Sequence, residues 1–185
     1  MGVHFRVPGD PLSNFVELFW LFDRYAVPHA REQLLPGATT ELVIDLRPAA
    51  QGSGSALVAG PHSEHSVLDT SEELSLLGVH FKSGGGFPFF FVPAGELHNL
   101  LVPLDVLWGA RAAELRERVL AAPTADAKFS TPAWIHKQKA YLAWWAHHLK
   151  GVDLRQADLQ RNIERPVKSF AKSIRRSRPI DPPTR

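Results

Sequence analysis

The chain has 185 residues, 44% of them hydrophobic and 22% charged, with a formal net charge of +2 and no cysteine. Such values describe a globular chain long enough to bury a core, and they exclude a disulfide framework, thiolate metal centres and thiol catalysis. The N-terminal MGVHFRVPGDP has no apolar signal core, no stretch reaches the length of a membrane span, and Arg6 stands where a myristoylation signal needs Ser or Thr. The expected location is therefore the cytoplasm, with no membrane partner.

The first strand signal is FVELFWLFDRY, residues 15–25, rich in aromatic residues. A Pro-Gly turn in LLPGATT leads to ELVIDL, residues 41–46, where polar and apolar positions alternate. The loop QGSGS follows, and then strand patterns at 56–60, 63–70 and 74–82 come at near-regular spacing. A series of this kind predicts a small antiparallel barrel or sandwich rather than a parallel sheet. Beyond the glycines at 84–86 the period changes. ARAAELRERVLAA, residues 110–122, puts Ala112, Leu115, Val119 and Ala122 at helical spacing, with Glu114 and Arg118 as an i,i+4 pair.

Thr131 before Pro132 signals the start of another helix, running to about Lys150 with Gly151 as its stop. Ile135, Leu142, Trp145 and Leu149 form its apolar stripe, and Trp134, Tyr141 and Trp144 widen it. A helix apolar over so much of its circumference is buried on two sides. Two readings stand: one aromatic-rich core, or a homodimer formed through residues 131–150. The expected fold class is α+β, an antiparallel β part followed by a C-terminal helical segment. The expected organisation is a β unit with its first helices at 1–122, the aromatic helix at 123–150 and a basic tail at 151–185.

LLGVHFKSGGGFPFFFV, residues 76–92, tests for phosphate binding and fails. A P-loop needs its Lys and Ser/Thr after the glycines, whereas Lys82 and Ser83 precede them; in the dinucleotide fingerprint, Phe89 occupies the last glycine position. The expected role is structural, with glycines turning the chain out of a strand and Phe87, Phe89, Phe90 and Phe91 anchoring it. His62, His65 and His80, with Glu64, have the donor types for zinc or iron, and a metal-dependent enzyme built on them is an alternative. On a strand, however, His-x-x-His sends its two rings to opposite faces, and alternation with Leu77, Val79 and Phe81 turns His80 away from the core. Hydrogen-bonded or surface histidines are the favoured reading, with no metal and no cofactor. No Gly-x-Ser-x-Gly elbow is present, and Asp45, Asp69, Glu72 and Glu73 are scattered over strand ends, so no catalytic residue is expected.

From Gly151 to Arg185 there are nine Lys or Arg against four Asp or Glu. In VKSFAKSIRRSR, Val167, Phe170, Ala171 and Ile174 repeat at helical spacing, while Lys168, Lys172, Arg175 and Arg176 gather on another face. A short basic amphipathic helix suits nucleic-acid phosphates or an anionic membrane surface, and a solvated charged face is the alternative.

The order LLPGATTELVIDL, LVAGPHSEH, then LLGVHFKSGGGFPFFFVPAGELHNLLVPLDVLWGARAAELRERVLAA resembles the N-terminal sensor domain of a subset of AraC-type transcriptional regulators. Phe19-Trp20 agrees with an aromatic pair early in that family, and the likeness spans about residues 12–122. The resemblance implies a cupin-like β-barrel with helices that senses a small-molecule effector or mediates dimerisation. On that basis the effector pocket is expected inside the barrel or at its mouth, beside Trp20, Glu41, His62 and His80. The family's DNA-binding part has two helix-turn-helix units, and the 63 residues after Ala122 are too few for both. LRQADLQRNIERPVKSFAKSIRRSR is faintly similar to the second unit without its Gly-containing turn. A truncated or degenerate DNA-binding region is therefore expected, with a disordered end at RPIDPPTR, and nucleic-acid binding through Lys168, Lys172, Arg175 and Arg176 is an alternative function.

Overall fold

The computed structural model describes residues 2–10, 12–26 and 28–131. The aromatic helix expected from Pro132, the homodimer surface on it, and the basic tail with Lys168, Lys172, Arg175 and Arg176 lie outside the described residues.

Strand β1 (Gly2–Arg6) and a 3-10 turn at Leu12–Asn14 lead into the long strand β2 (Val16–Tyr25). Strands β3 (Arg31–Leu34), β4 (Glu41–Asp45), β5 (Ala56–Ala59), β6 (Ser66–Asp69) and β7 (Leu74–Phe81) follow. Next come the single helical turn α1 (Phe87–Phe90), a 3-10 turn at Ala94–Leu97 and the short strand β8 (Leu101–Pro103). Helices α2 (Leu104–Trp108), α3 (Arg111–Ala121) and α4 (Ala125–Ser130) complete the described part. No helix among the described residues is long and apolar enough to cross a membrane.

The architecture is α+β, and every strand pairing is antiparallel. Six strands form one sheet in the order β1-β2-β7-β4-β5-β8, and β3 pairs with β6 as a separate ribbon. The expected closed barrel is not what forms. Strands β1 and β8 are the two edges of the sheet and do not pair with each other. Strand β8 is only three residues long and ends at Pro103, which has no N–H to carry the ladder further.

Alternation along the strands sorts the sheet into two faces. Phe19, Leu21, Leu42, Ile44, Val58, Leu77, Val79 and Phe81 lie on one face and are at most 4% exposed. Register confirms the grouping, since Phe19 and Leu42 both oppose Val79 while Leu21 and Ile44 both oppose Leu77. Ala112, Leu115 and Val119 of α3 are buried, and together with Phe129 of α4 they complete this core. The Phe129 ring lies 6.0 Å from that of Phe19, so the packed unit continues past Ala122. Arg116 reinforces the docking of α3 by donating to the carbonyls of Asp45 and Arg47, each at 2.9 Å. Arg6 does the same for α4 through Ser130 Oγ at 2.7 Å.

Between sheet and helices is a void of about 10 Å³ lined by Phe19, Leu42, Leu77, Leu115, Val119 and Lys128 among others. That is room for one water at most. An effector does not fit in this void.

The glycine triplet leads out of β7, and its members have different tasks. Gly84 has φ +73°, in the left-handed region that a side chain disfavours. At Gly85 the obstacle is close approach, because a Cβ would sit 2.1 Å from the Phe15 carbonyl oxygen. The phenylalanines divide likewise. Phe89 and Phe90 are buried around Phe81, at ring separations of 5.0 and 5.4 Å, and Trp108 lies across Phe90 while its Nε1–H donates to the Phe89 carbonyl at 3.0 Å. Contrary to expectation, Phe91 is not an anchor: it is 48% exposed, with φ 55°. In one helical turn, positions 87 and 91 share a side, and that side points away from the core, leaving Phe87 half-buried.

Candidate ligand-binding face

Among the described residues, the second face of the sheet has no buried layer like that of the first. Its rows follow from the register. Phe5, Trp20, Gly78, Val43 and Leu57 form one row, and Leu18, His80, Glu41 and Ala59 form the next. On the other side of the Trp20 row lie Val3, Phe22, Leu76 and Asp45. Most of these side chains are half-buried, while Val3 and Phe5 at the β1 edge are exposed.

Trp20 is the centre of the apolar part. A Cβ on Gly78 would come within 1.9 Å of indole Cε2, so the bare backbone at 78 is what lets the ring lie against the sheet. Aromatic contacts continue from it along β2, with Trp20 to Phe22 at 5.0 Å and Phe22 to Tyr25 at 5.4 Å.

One step toward the other end of β4, the face becomes polar. His80 Nδ1 lies 2.5 Å from Glu41 Oε1, and His80 Nε2 lies 3.2 Å from Thr39 Oγ1. An ionised carboxylate only accepts, so Nδ1 carries the proton; in the neutral ring Nε2 then accepts from the Thr39 hydroxyl. Glu41 and His80 keep side-chain exposures of 34% and 30%. The line Thr39–His80–Glu41 therefore offers an oriented hydroxyl and a carboxylate at the edge of an aromatic surface, within reach of solvent.

At the opposite end Asp45 holds Arg47 by a bidentate pair, Nη2 to Oδ2 at 2.6 Å and Nε to Oδ1 at 3.1 Å, and Arg47 also reaches Glu72 at 3.3 Å. Its hydrogen bonds with Asp45 raise the Arg47 guanidinium above its ordinary range, with the nearby acid charges adding to the effect. This pair neutralises itself.

Three of the four expected pocket residues, Trp20, Glu41 and His80, thus share one face. His62 lies in the loop after β5, its N–H bonded to the Gly37 carbonyl at 2.8 Å, so it stands near the Thr39 end. His65 is exposed, and among the described residues no group of three His, Asp or Glu side chains could hold a metal ion. Thr39 is the site residue that sequence reasoning missed. Strand alternation carried two residues back from Glu41 was the signal that could have found it.

A family profile described as a domain of unknown function matches residues 4–103. The chain belongs to the DUF6597 family. The DUF6597 match starts within β1, at His4, and ends with β8 at Pro103, so it takes in part of β1 and all of β2 to β8. It also contains Trp20, Thr39, Glu41 and His80, whereas α3 and α4 lie beyond it. Comparison with curated proteins and with solved structures found no match.

Proposed function

We propose that this DUF6597 domain is the ligand-sensing and dimerising part of an AraC-type transcriptional regulator, non-catalytic and cupin-like in its sheet, acting in the cytoplasm. Support comes from the order of sequence motifs and, above all, from one structural contrast. One face of the sheet is sealed by helices, while the other is half-buried and gathers Trp20, Glu41, His80 and Thr39. A small molecule is recognised by few convergent polar groups beside apolar surface, which is what this face carries. In this reading dimerisation falls to residues 131–150, and any contact with DNA to Lys168, Lys172, Arg175 and Arg176.

A thermal-shift screen of small molecules against the whole chain tests the reading. A ligand at a hundredfold excess over its Kd stabilises the folded state by about 2.7 kcal/mol, enough to move Tm by several degrees. Compounds that raise Tm for the wild type, and do so less for Trp20→Ala, are the expected result. A broad screen in which no compound moves Tm, or in which Trp20→Ala responds like the wild type, contradicts it.

A further inference from the structure

The sensor reading leaves the ligand's chemistry open, and the charges on the second face narrow it. We propose that this face selects an organic amine: a cationic nitrogen carried on a flat apolar body. The inference rests on the sensor reading and adds the ligand class to it.

The first argument is charge. The paired positions that build this face carry two acids, Glu41 and Asp45, and no lysine or arginine. Asp45 is already satisfied by the bidentate Arg47. Glu41 uses Oε1 for the His80 imidazole, and among the described residues its second oxygen has no hydrogen bond. That oxygen is an acceptor left open at this end of the face. A carboxylate or phosphate ligand would meet that acceptor with no lysine or arginine at the paired positions of the face, whereas an ammonium meets an acceptor in a half-buried position, where charge-assisted hydrogen bonds are strongest.

The second argument is the surface beside it. Glu41 and Val43 are neighbours on the same side of β4, about 7 Å apart, and Val43 lies in the row of Trp20 and Gly78. Trp20 is the side chain best suited to attract a cation over its ring, and Phe22 and Tyr25 extend the aromatic surface. An ammonium at Glu41 therefore places an attached aryl or alkyl group over Trp20 and Val43. A metal ion is a poorer occupant, since the site brings one open carboxylate oxygen and, among the described residues, no group of three donors.

Calorimetric titration of the full chain with three matched probes tests this: 2-phenylethylamine, 2-phenylethanol and phenylacetate. The amine should bind roughly 10-fold or more tighter than the alcohol, the gain expected of one charge-assisted hydrogen bond. The carboxylate should bind weakest. Raising the salt concentration should weaken the amine and leave the alcohol unchanged. Glu41→Gln should bring the amine down to the alcohol's affinity, and the salt series on the wild type serves the same purpose if that variant does not fold. Equal binding of amine and alcohol, a preference for the carboxylate, or an amine affinity indifferent to salt and to Glu41→Gln overturns the proposal. If none of the three binds, the amine assignment falls. The sensor reading then stands or falls separately, on whether the thermal-shift screen yields compounds sensitive to Trp20.

Discussion

The indole of Trp20 occupies the space that a side chain at Gly78 would need, its Cε2 lying 1.9 Å from where a Cβ would be built. The two residues sit directly opposite each other on β2 and β7. Gly78→Ala should therefore push the ring off the sheet and destabilise the fold by about 1–3 kcal/mol, the usual cost of overpacking. In a Trp20→Ala background the same change should cost much less. Chemical denaturation of the four proteins measures the coupling, and additive effects within about 0.5 kcal/mol would contradict the contact.

Thr39, His80 and Glu41 make a second testable relationship. Because Glu41 accepts from Nδ1, neutral His80 should populate the Nδ1–H tautomer, readable from its imidazole nitrogen shifts. Thr39→Val should leave that tautomer in place, while Glu41→Gln should erode it. Thr39→Val should also weaken binding of the best screened compound by about 2- to 10-fold, the worth of one ordinary hydrogen bond. A dominant Nε2–H tautomer in the wild type would show that the arrangement is different.

The glycine triplet predicts two unequal substitutions. Gly84→Ala faces only the backbone penalty at φ +73°, about 1 kcal/mol. Gly85→Ala meets a backbone carbonyl that cannot rotate away, Phe15 O at 2.1 Å, and should cost about 3 kcal/mol. Equal losses in urea melts would mean that both positions act through dihedral angles alone.

Lys128 gives a pH dependence. Desolvation among the apolar residues of the small void lowers its pKa below 10.5, against the pull of Asp23, while its Nζ donates to the Val119 carbonyl at 2.8 Å near the end of α3. The sign follows from linkage. Below the lowered folded pKa, both states are charged and the folded one bears the desolvation cost. Between that value and 10.5 the unfolded chain holds more protons, so folding stability rises with pH. The wild type should therefore gain stability relative to Lys128→Met as pH climbs toward 10.5. A difference between the two that does not change with pH would show that the amine is fully solvated.

The strands were legible where period-two patterns were strong. The 15–25, 41–46, 56–60, 63–70 and 74–82 signals correspond to β2, β4, β5, β6 and β7, and 110–122 to α3. Strands β1, β3 and β8 were not seen, for a physical reason. Each is short and lies at an edge or in the ribbon, with exposed positions such as Phe5, Leu34 and Leu101 that follow no buried alternation. Helix α4 was hidden because its six residues bury only Phe129.

The site was partly legible for the same reason. Alternation through Leu77, Val79 and Phe81 places His80 on the face away from the core, and the structure adds what alternation cannot. Glu41 faces His80 across β4 and β7, a pairing set by register between segments some forty residues apart. Nothing local to either strand announces it. Closure into a barrel was the part that mattered least to the site: the face that gathers Trp20, Glu41 and His80 exists in an open sheet.

The most direct measurement maps binding residue by residue. Backbone amide shifts should be recorded with and without the tightest compound from the thermal-shift screen. The largest changes should fall on Leu18, Trp20, Phe22, Thr39, Glu41, Val43, Leu57 and His80. Changes confined to Leu115, Val119 and Phe129 around the interior void, or to residues 132–185, would contradict the claim that the second face of the sheet is where this domain senses its ligand.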